Sequence, residues 1–154
     1  MARFETAFPE SAGSPGLALW RVTNVWQRQI RAALAPFDLT HVQFVLLASL
    51  AYLDRAPDLD GVAAPVTQRD LAAHAGTDVM MTSQVVRALE AKGLVTRAKH
   101  PGDGRAVALE PTERGVALAN QANGAVEAAD AAFFGVLPSD DLAGIVRALG
   151  ALSH

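Results

Sequence analysis

Two short helices separated by a glycine-containing turn are the feature of this chain that most constrains its fold. Thr67 is a suitable N-cap for the first helix, and Asp70, three residues later, complements the helix dipole. Gly76 predicts the end of this helix, and Asp78 predicts the N-cap of a second helix that ends at Gly93. Two helices joined by so tight a turn predict a helix-turn-helix, in which the first helix braces the second.

A β-hairpin is predicted directly after the second helix. Residues 94–100 and 105–109 alternate as strands do, and the sequence Pro-Gly-Asp-Gly between them favours a turn. A helix followed by such a hairpin suits a DNA duplex, because the helix fits the major groove while the hairpin tip reaches the neighbouring minor groove or the phosphates. The same arrangement also occurs in modules that dock only on proteins, and this alternative stays open.

Two apolar helices are predicted before the helix-turn-helix. The first begins near residue 16 and ends at Pro36 and Asp38, and the second is capped by Thr40 and extends to about residue 55. The second is apolar nearly all round, which predicts deep burial. The first carries one apolar stripe at helical spacing: Leu19, Val22, Trp26, Ile30, Ala33 and Phe37.

Two further helices are predicted after the hairpin. A long alanine-rich helix follows from Thr112 to about residue 137, and a last helix starts at residues 138–141 with acidic side chains in its first turn. Residues 1–15 show no clear period and are interpreted as a flexible arm. The expected fold is therefore mainly α, in the α+β class.

The composition predicts a single domain with a sizeable core. The chain has 154 residues, of which 51% are hydrophobic and 19% are charged. It has no cysteine, which excludes disulfides, thiolate nucleophiles and thiol-based redox sensing. The net charge of −3 excludes a protein that coats nucleic acid through bulk positive charge, although it leaves room for a local basic patch.

No segment predicts a membrane span. The longest uncharged run of interest, residues 39–53, has 15 residues, whereas about 20 apolar residues are needed to cross a bilayer. The N-terminal residues contain no apolar leader of a secretory signal. We therefore expect a soluble protein of the cytoplasm that does not use a membrane as its partner.

The sequence contains no recognisable catalytic or metal-binding pattern. It lacks the G-x-S-x-G, P-loop and G-x-G-x-x-G motifs, so we expect no enzyme activity and no cofactor. The four histidines lack the paired spacing of a zinc site, and we expect no metal. His74 and His100 are expected to be solvated. Residues 58–61, Asp-Leu-Asp-Gly, fit a turn better than a calcium loop.

Positive charge is concentrated in the helix-turn-helix and the hairpin. Residues 67–105 contain six cationic and four anionic side chains, whereas the remainder contains seven cationic and twelve anionic ones. This asymmetry favours duplex DNA as the partner. The predicted DNA-binding residues are Thr67, Gln68, Val79, Met80, Ser83, Gln84, Arg87, Arg97, Lys99, Asp103 and Arg105.

Individual side chains of the second helix suit different parts of a duplex. Ser83 and Gln84 can hydrogen-bond to base edges, and Arg87 suits a phosphate. Val79 or Met80 can contact a thymine methyl group. The buried side of this helix is expected to carry Thr82, Val85, Val86 and Leu89.

Several segments together form a specific signature. The run VRALEAKGLVTR at residues 86–97 continues into Asp103-Gly104-Arg105 and then into PTERG at residues 111–115. The order and spacing match LE-x-x-G-L-V-x-R, D-x-R and T-x-x-G, and LTHVQF at residues 39–44 and TQRDLA at residues 67–72 also match. On these segments the chain resembles the MarR family, the multiple antibiotic resistance regulators, from about residue 16 to its end.

The resemblance implies a winged helix-turn-helix regulator that binds duplex DNA as a homodimer, with a repressor as the expected form. Residues 1–154 then form one MarR-like domain, with dimerisation helices at residues 16–56 and 112–154 and a DNA-binding lobe at residues 57–110. The two lobes would bind a pseudo-palindrome about one helical turn apart. Arg105 of the wing would enter the minor groove, and Asp103 would help position it. Val79 and Met80 stand where the family often has small polar or basic residues.

The resemblance also implies a small aromatic effector bound between the first two helices and the DNA-binding lobe. The residues predicted to contact it are Trp20, Asn24, His41 and Phe44. A structural role for His41 is the favoured alternative, and Trp26 is expected in the core of the dimer. A small enzyme or ligand carrier and the protein-docking module remain the competing hypotheses at this point.

Overall fold

The computed structural model describes residues 1–54 and 64–153. Most of the connection predicted at residues 54–65, and with it the turn at residues 58–61, lies outside the described residues. The described part contains six α-helices and a small antiparallel sheet. The helices are α1 (Pro15–Leu34), α2 (His41–Asp54), α3 (Gln68–Ala75), α4 (Val79–Ala91), α5 (Glu113–Phe134) and α6 (Ser139–Leu152).

The predicted helix boundaries of the helix-turn-helix are confirmed. Thr67 and Asp70 form a reciprocal capping box, with the Asp70 amide donating to the Thr67 hydroxyl at 3.1 Å and the Thr67 amide donating to the Asp70 carboxylate at 3.0 Å. The Asp78 carboxylate accepts from the Met81 amide at 2.7 Å. Gly76 and Gly93 end their helices in the left-handed conformation, at φ values of 67° and 71°.

The sheet has three strands in the order β1 (Val66–Thr67), β3 (Val107–Pro111), β2 (Val95–Lys99). Lys99 pairs with Val107, so the hairpin connection spans residues 100–106. The prediction that the second strand begins at Arg105 is therefore wrong: Arg105 lies in the loop, because the Ala106 amide turns back to the Asp103 carbonyl. Strand β1 was missed, since two residues are too few to show a period.

Helix α2 forms the centre of the core, as its composition predicts. Phe44, Leu46, Leu47 and Leu50 of α2 are buried. Helices α1, α3, α4 and α5 and strand β3 all pack on it. Helices α1, α2 and α5, which we call the frame, thus share one continuous core with α3 and α4 of the helix-turn-helix.

Gly115 allows α5 to start directly against the strand that follows α4. A Cβ atom at this position would collide with the Leu94 carbonyl group. Thr112, the N-cap of α5, also donates its hydroxyl to the Gly93 carbonyl at 2.9 Å. The long helix is therefore fastened to the end of α4.

The outer half of α1 and the whole of α6 lack an apolar covering within the described residues. Helix α6 contains no buried residue. The predicted stripe of α1 divides, because Ile30 is buried whereas Leu19 and Val22 are exposed. Apolar side chains exposed on and beside these two helices are Leu19, Trp20, Val22, Val25, Val136, Val146, Leu149 and Leu152.

Trp26 packs against other residues of its own chain. Its indole N–H donates to the Asp130 carboxylate of α5 at 2.7 Å. Its ring meets the His41 ring edge to face, with centroids 5.2 Å apart. Trp26 thus joins α1, α2 and α5, a role that the apolar stripe alone did not indicate.

Over the described residues, no single helix is long and apolar enough to cross a membrane. Residues Pro15–Phe37 and His41–Asp54 have sufficient length and apolar composition only as a pair, and this pair is bent by 73° at its break.

Candidate nucleic-acid interface

Helix α4 presents the surface that the sequence predicts. Val79 is 53% exposed and Met80 is 76% exposed, and Gln84 and Arg87 are exposed as well. Ser83 is half-buried. These positions follow the helical repeat along one side, whereas Thr82, Val86 and Leu89 are buried on the other.

The buried Thr82 locks α4 to the turn that precedes it. Its hydroxyl donates to the Asp78 carbonyl at 2.8 Å, and it therefore accepts from the Thr77 hydroxyl 2.7 Å away. The Thr77 amide in turn donates to the Ala72 carbonyl of α3 at 3.0 Å. Because these bonds join the turn to both helices, they help to fix the angle between α3 and α4.

Thr67 and Gln68 lie at the start of α3 and are half-buried. The Thr67 hydroxyl accepts from the Asp70 amide and donates to the Asp70 carboxylate at 2.6 Å, so it is occupied by the cap. A DNA contact by either residue stays a prediction. For Thr67, a contact through the hydroxyl or the amide would require the capping box to open.

The wing tip holds Arg105 in an ordered loop. The Arg105 side chain is exposed, and its amide donates to the Asp103 carboxylate at 3.0 Å. The predicted positioning role of Asp103 thus has a geometric basis, through the backbone of Arg105 rather than its guanidinium. Lys99 at the end of β2 is exposed as well.

His100 is not a freely solvated side chain, contrary to expectation. It is half-buried, and its Nδ1 accepts from the Gly102 amide at 3.0 Å and from the Asp103 amide at 3.2 Å. His74, on α3, is exposed but stacks on Tyr52 of α2 with ring centroids 5.5 Å apart.

Arg97 already has a partner within the lobe. Its Nε donates to the Glu90 carboxylate at 3.1 Å, and its side chain is only 28% exposed. The pair links β2 to α4, and such partly exposed pairs stabilise a fold by less than about 1 kcal/mol. A DNA contact by Arg97 remains a prediction that would require this ion pair to open or be shared.

Lys92 is a connecting residue that the sequence analysis missed. Its ammonium donates to the Asp38 carbonyl, and it lies 3.4 Å from the Asp38 carboxylate and 3.3 Å from Oε1 of Gln43. Asp38 adopts the left-handed conformation at φ 51°, which Asp tolerates better than most residues. In the sequence, Asp38 is marked only as the residue that ends the first helix, two positions after Pro36. This local pattern does not reveal that its partner lies 54 residues away.

Two clefts lie beside Lys92. One of about 340 Å³ is lined by Phe37, Leu94, Arg114 and Leu118, among others, and one of about 220 Å³ by residues of the turn before α2. The Arg114 guanidinium donates to the Lys92 carbonyl at 3.0 Å. This junction connects the frame helices to the end of α4.

The four predicted effector contacts do not line these clefts. Trp20 is 68% exposed, and the side-chain amide of Asn24 donates to the Trp20 carbonyl at 2.7 Å. Phe44 is buried in the core. Burial lowers the pKa of His41, Arg31 lowers it further, and Asp130 partly opposes both. Within the described residues, no group of three or more histidines and carboxylates is placed to hold a metal.

Comparison with known proteins places this architecture in a family. The sequence model of the MarR family matches residues 61–107. YdcH of Bacillus subtilis (strain 168), an uncharacterized HTH-type transcriptional regulator, is 48% identical over 121 residues, which cover 79% of this chain and 78% of YdcH. The HTH-type transcriptional repressor Rv2887 of Mycobacterium tuberculosis is 36% identical over 116 residues, which cover 75% of this chain and 76% of Rv2887.

Solved structures agree with the sequence matches. The crystal structure of Rv2887, a MarR family protein, in complex with DNA has a TM-score of 0.65 and 30% identity, and covers 92% of this chain and 99% of its own. CouR from Rhodococcus jostii RHA1, bound to p-coumaroyl-CoA, has a TM-score of 0.76 and 25% identity, and covers 92% and 93%. The chain belongs to the MarR family of HTH-type transcriptional regulators, which are not enzymes.

Proposed function

We propose that the protein is a repressor that binds a pseudo-palindromic DNA operator as a homodimer and is released by a small ligand. The observation that carries the proposal is the exposure of Gln84, Arg87 and Arg105 on α4 and the wing. Over residues 1–54 and 64–153, neither arginine takes part in an ion pair, in contrast to Arg97. Guanidinium groups without an internal partner can donate hydrogen bonds to the phosphates and base edges of a duplex whose major groove holds α4.

The repressor assignment draws on the relatives. Rv2887 is named as a repressor and has a structure with DNA, and CouR also has a structure with a 23-mer duplex. A protein that occupies an operator acts where the chromosome is, so the cytoplasmic location belongs to the same proposal.

The homodimer is supported by the apolar surface of α1 and α6. Val146 and Leu152 of α6 and Trp20 of α1 are more than 60% exposed in the single chain. Large apolar side chains left exposed on terminal helices are typical of a surface that a protein covers. A second copy of the chain would bury them and would present two wings and two α4 helices to one duplex.

Ligand release is supported by two neighbours in the same fold. CouR has been solved with p-coumaroyl-CoA, and PcaV from Streptomyces coelicolor with its natural ligand. A ligand that binds only the dimer geometry unsuited to DNA would lower operator affinity by linkage. We propose a small aromatic effector, with Trp20, Asn24, His41 and Phe44 still the residues predicted to contact it.

The proposal is tested by selecting bound duplexes from a random pool at about 50 mM and about 200 mM salt. We expect a two-fold symmetric motif whose half-sites lie about one helical turn apart. Arg105→Ala should weaken binding and reduce the salt slope by about one unit. Arg28→Ala is the matched control, since it removes one exposed positive charge from α1, outside the lobe.

A pool without enrichment at both salt concentrations would exclude the repressor and favour the protein-docking module. An enriched motif without symmetry would contradict the dimer but leave DNA binding intact. Equal losses in Arg105→Ala and Arg28→Ala would show that the wing makes no special contact.

A further inference from the structure

Two side chains, rather than a standard tight turn, fold the tip of the wing. The connection between β2 and β3 has seven residues, 100–106, and includes two glycines. A loop of this length and composition has many accessible conformations. His100 and Asp103 are the residues whose side chains bond to its backbone.

These bonds form a relay that ends at Arg105. His100 Nδ1 accepts from the amides of Gly102 and Asp103, at 3.0 and 3.2 Å. The Asp103 carboxylate then accepts from the Arg105 amide at 3.0 Å. The His100 amide closes the loop by donating to the Ala106 carbonyl at 3.1 Å. The position of the Arg105 backbone therefore depends on Asp103, whose amide is held by His100 and whose carbonyl accepts from the Ala106 amide.

The imidazole is suited to this task in only one form. Because Nδ1 accepts two hydrogen bonds, the ring must be neutral and carry its proton on Nε2. No other side-chain nitrogen or oxygen within the described residues bonds to these two amides. Loss of the acceptor would thus leave both amides to solvent and release the tip of the loop.

We propose that His100 is a positioning residue for DNA binding, which holds the wing tip in the conformation that presents Arg105 to the duplex. The inference rests on the proposed function. It adds His100 to the residues that DNA binding needs, although His100 acts through the loop and not by a contact with DNA. Without the His100 side chain the loop tip loses two of its hydrogen bonds and samples more conformations before binding, so the duplex must supply the free energy to order it.

The test is a double-mutant cycle on the selected operator duplex, with His100→Ala, Arg105→Ala and the double variant. His100→Ala should weaken binding by about three- to tenfold, the range expected when one net hydrogen bond is lost. The double variant should bind no more weakly than Arg105→Ala alone, because His100 acts through Arg105. Independent, multiplying losses would overturn the inference.

A conservative variant distinguishes positioning from a general loss of structure. In His100→Asn, the side-chain oxygen takes the place of Nδ1 and can accept from the same amides in an Asx turn. Binding should return to within about twofold of the original. An equal loss in the Ala and Asn variants would contradict an acceptor role.

A second measurement needs no DNA. Hydrogen exchange of the Gly102 and Asp103 amides should accelerate in His100→Ala and stay slow in His100→Asn, while the thermal unfolding midpoint stays the same in both. Unchanged exchange in His100→Ala would overturn the inference even if the operator is bound. Failure of the original protein to bind any duplex would instead refute the proposed function, and the positioning role with it.

Discussion

The DNA-binding lobe and the terminal helices differ in how their surfaces are completed. In the lobe, local caps define each helix, and the exposed side of α4 combines polar, charged and apolar side chains. Helix α6 has no buried residue, and the outer half of α1 is exposed and apolar. The helices of the lobe thus bury their apolar sides within the single chain, whereas α6 and the outer half of α1 leave apolar side chains uncovered.

The largest effect is expected from a charge placed on the exposed apolar face of α6. Val146 is 64% exposed, so Val146→Glu should not disturb the single chain but should prevent burial of this face in a dimer. We expect a monomer by light scattering and a loss of operator affinity of at least about hundredfold, since the two lobes no longer bind together. Helical content by circular dichroism should remain.

Ala151→Glu is the matched control, because Ala151 is exposed on the opposite side of α6. It should stay dimeric and bind the operator normally. A Val146→Glu variant that remains dimeric would show that α6 is not the covered surface.

The junction between the two regions is tested at Gly115. Gly115→Ala places a Cβ against the Leu94 carbonyl, so α5 must shift, and the free energy of unfolding should fall by about 2 kcal/mol. Chemical denaturation at fixed protomer concentration measures this.

Gly124→Ala on the same helix has open space around its new Cβ. It should raise the free energy of unfolding by up to about 1 kcal/mol, because alanine favours the helix. Equal effects of the two substitutions would mean that α5 does not rest closely on Leu94.

Within the lobe, the buried hydroxyl of Thr82 offers a smaller effect. Thr82→Val keeps the shape but removes the bonds to Asp78 and Thr77, and should lower the free energy of unfolding by about 1 kcal/mol. Thr96→Val is the control, since the exposed Thr96 hydroxyl makes only a 3.4 Å bond to Glu110; its change should stay below about 0.5 kcal/mol. A neutral Thr82→Val would show that the turn does not depend on this hydroxyl.

The smallest expected effect concerns His41 in the frame. Its pKa is lowered from 6.5 in the folded state, chiefly by burial, so the unfolded chain binds more protons as the pH falls below about 6.5. The contribution of His41 to stability is therefore complete above about pH 6.5 and decreases below it. The thermal midpoint of His41→Gln should fall less between pH 7.5 and pH 5.5 than that of the original protein.

A midpoint that falls equally in both proteins would assign the acid sensitivity to other groups. The neighbouring Trp26, which meets the His41 ring, should keep its bond to Asp130 in the variant, and tryptophan fluorescence can follow this.

Prediction from the sequence succeeded where the cause lies within a few residues. The capping box at Thr67, the turn at Gly76 and the outward positions of α4 follow from local hydrogen bonding and the helical repeat. Prediction was less successful where a side chain pairs with a residue that neither a cap nor the helical repeat brings close. Arg97 was expected to be available for DNA but pairs with Glu90, and Lys92 joins Asp38 across the junction.

The sequence by itself determined the order of the helices, their ends, and the family to which the chain belongs. Only the tertiary structure decided that Trp26 packs inside its own chain, that the wing loop includes Arg105, and that His100 holds the loop tip. The physical reason is that caps and periodicity act over one or two turns, whereas these outcomes depend on which groups meet when the core closes.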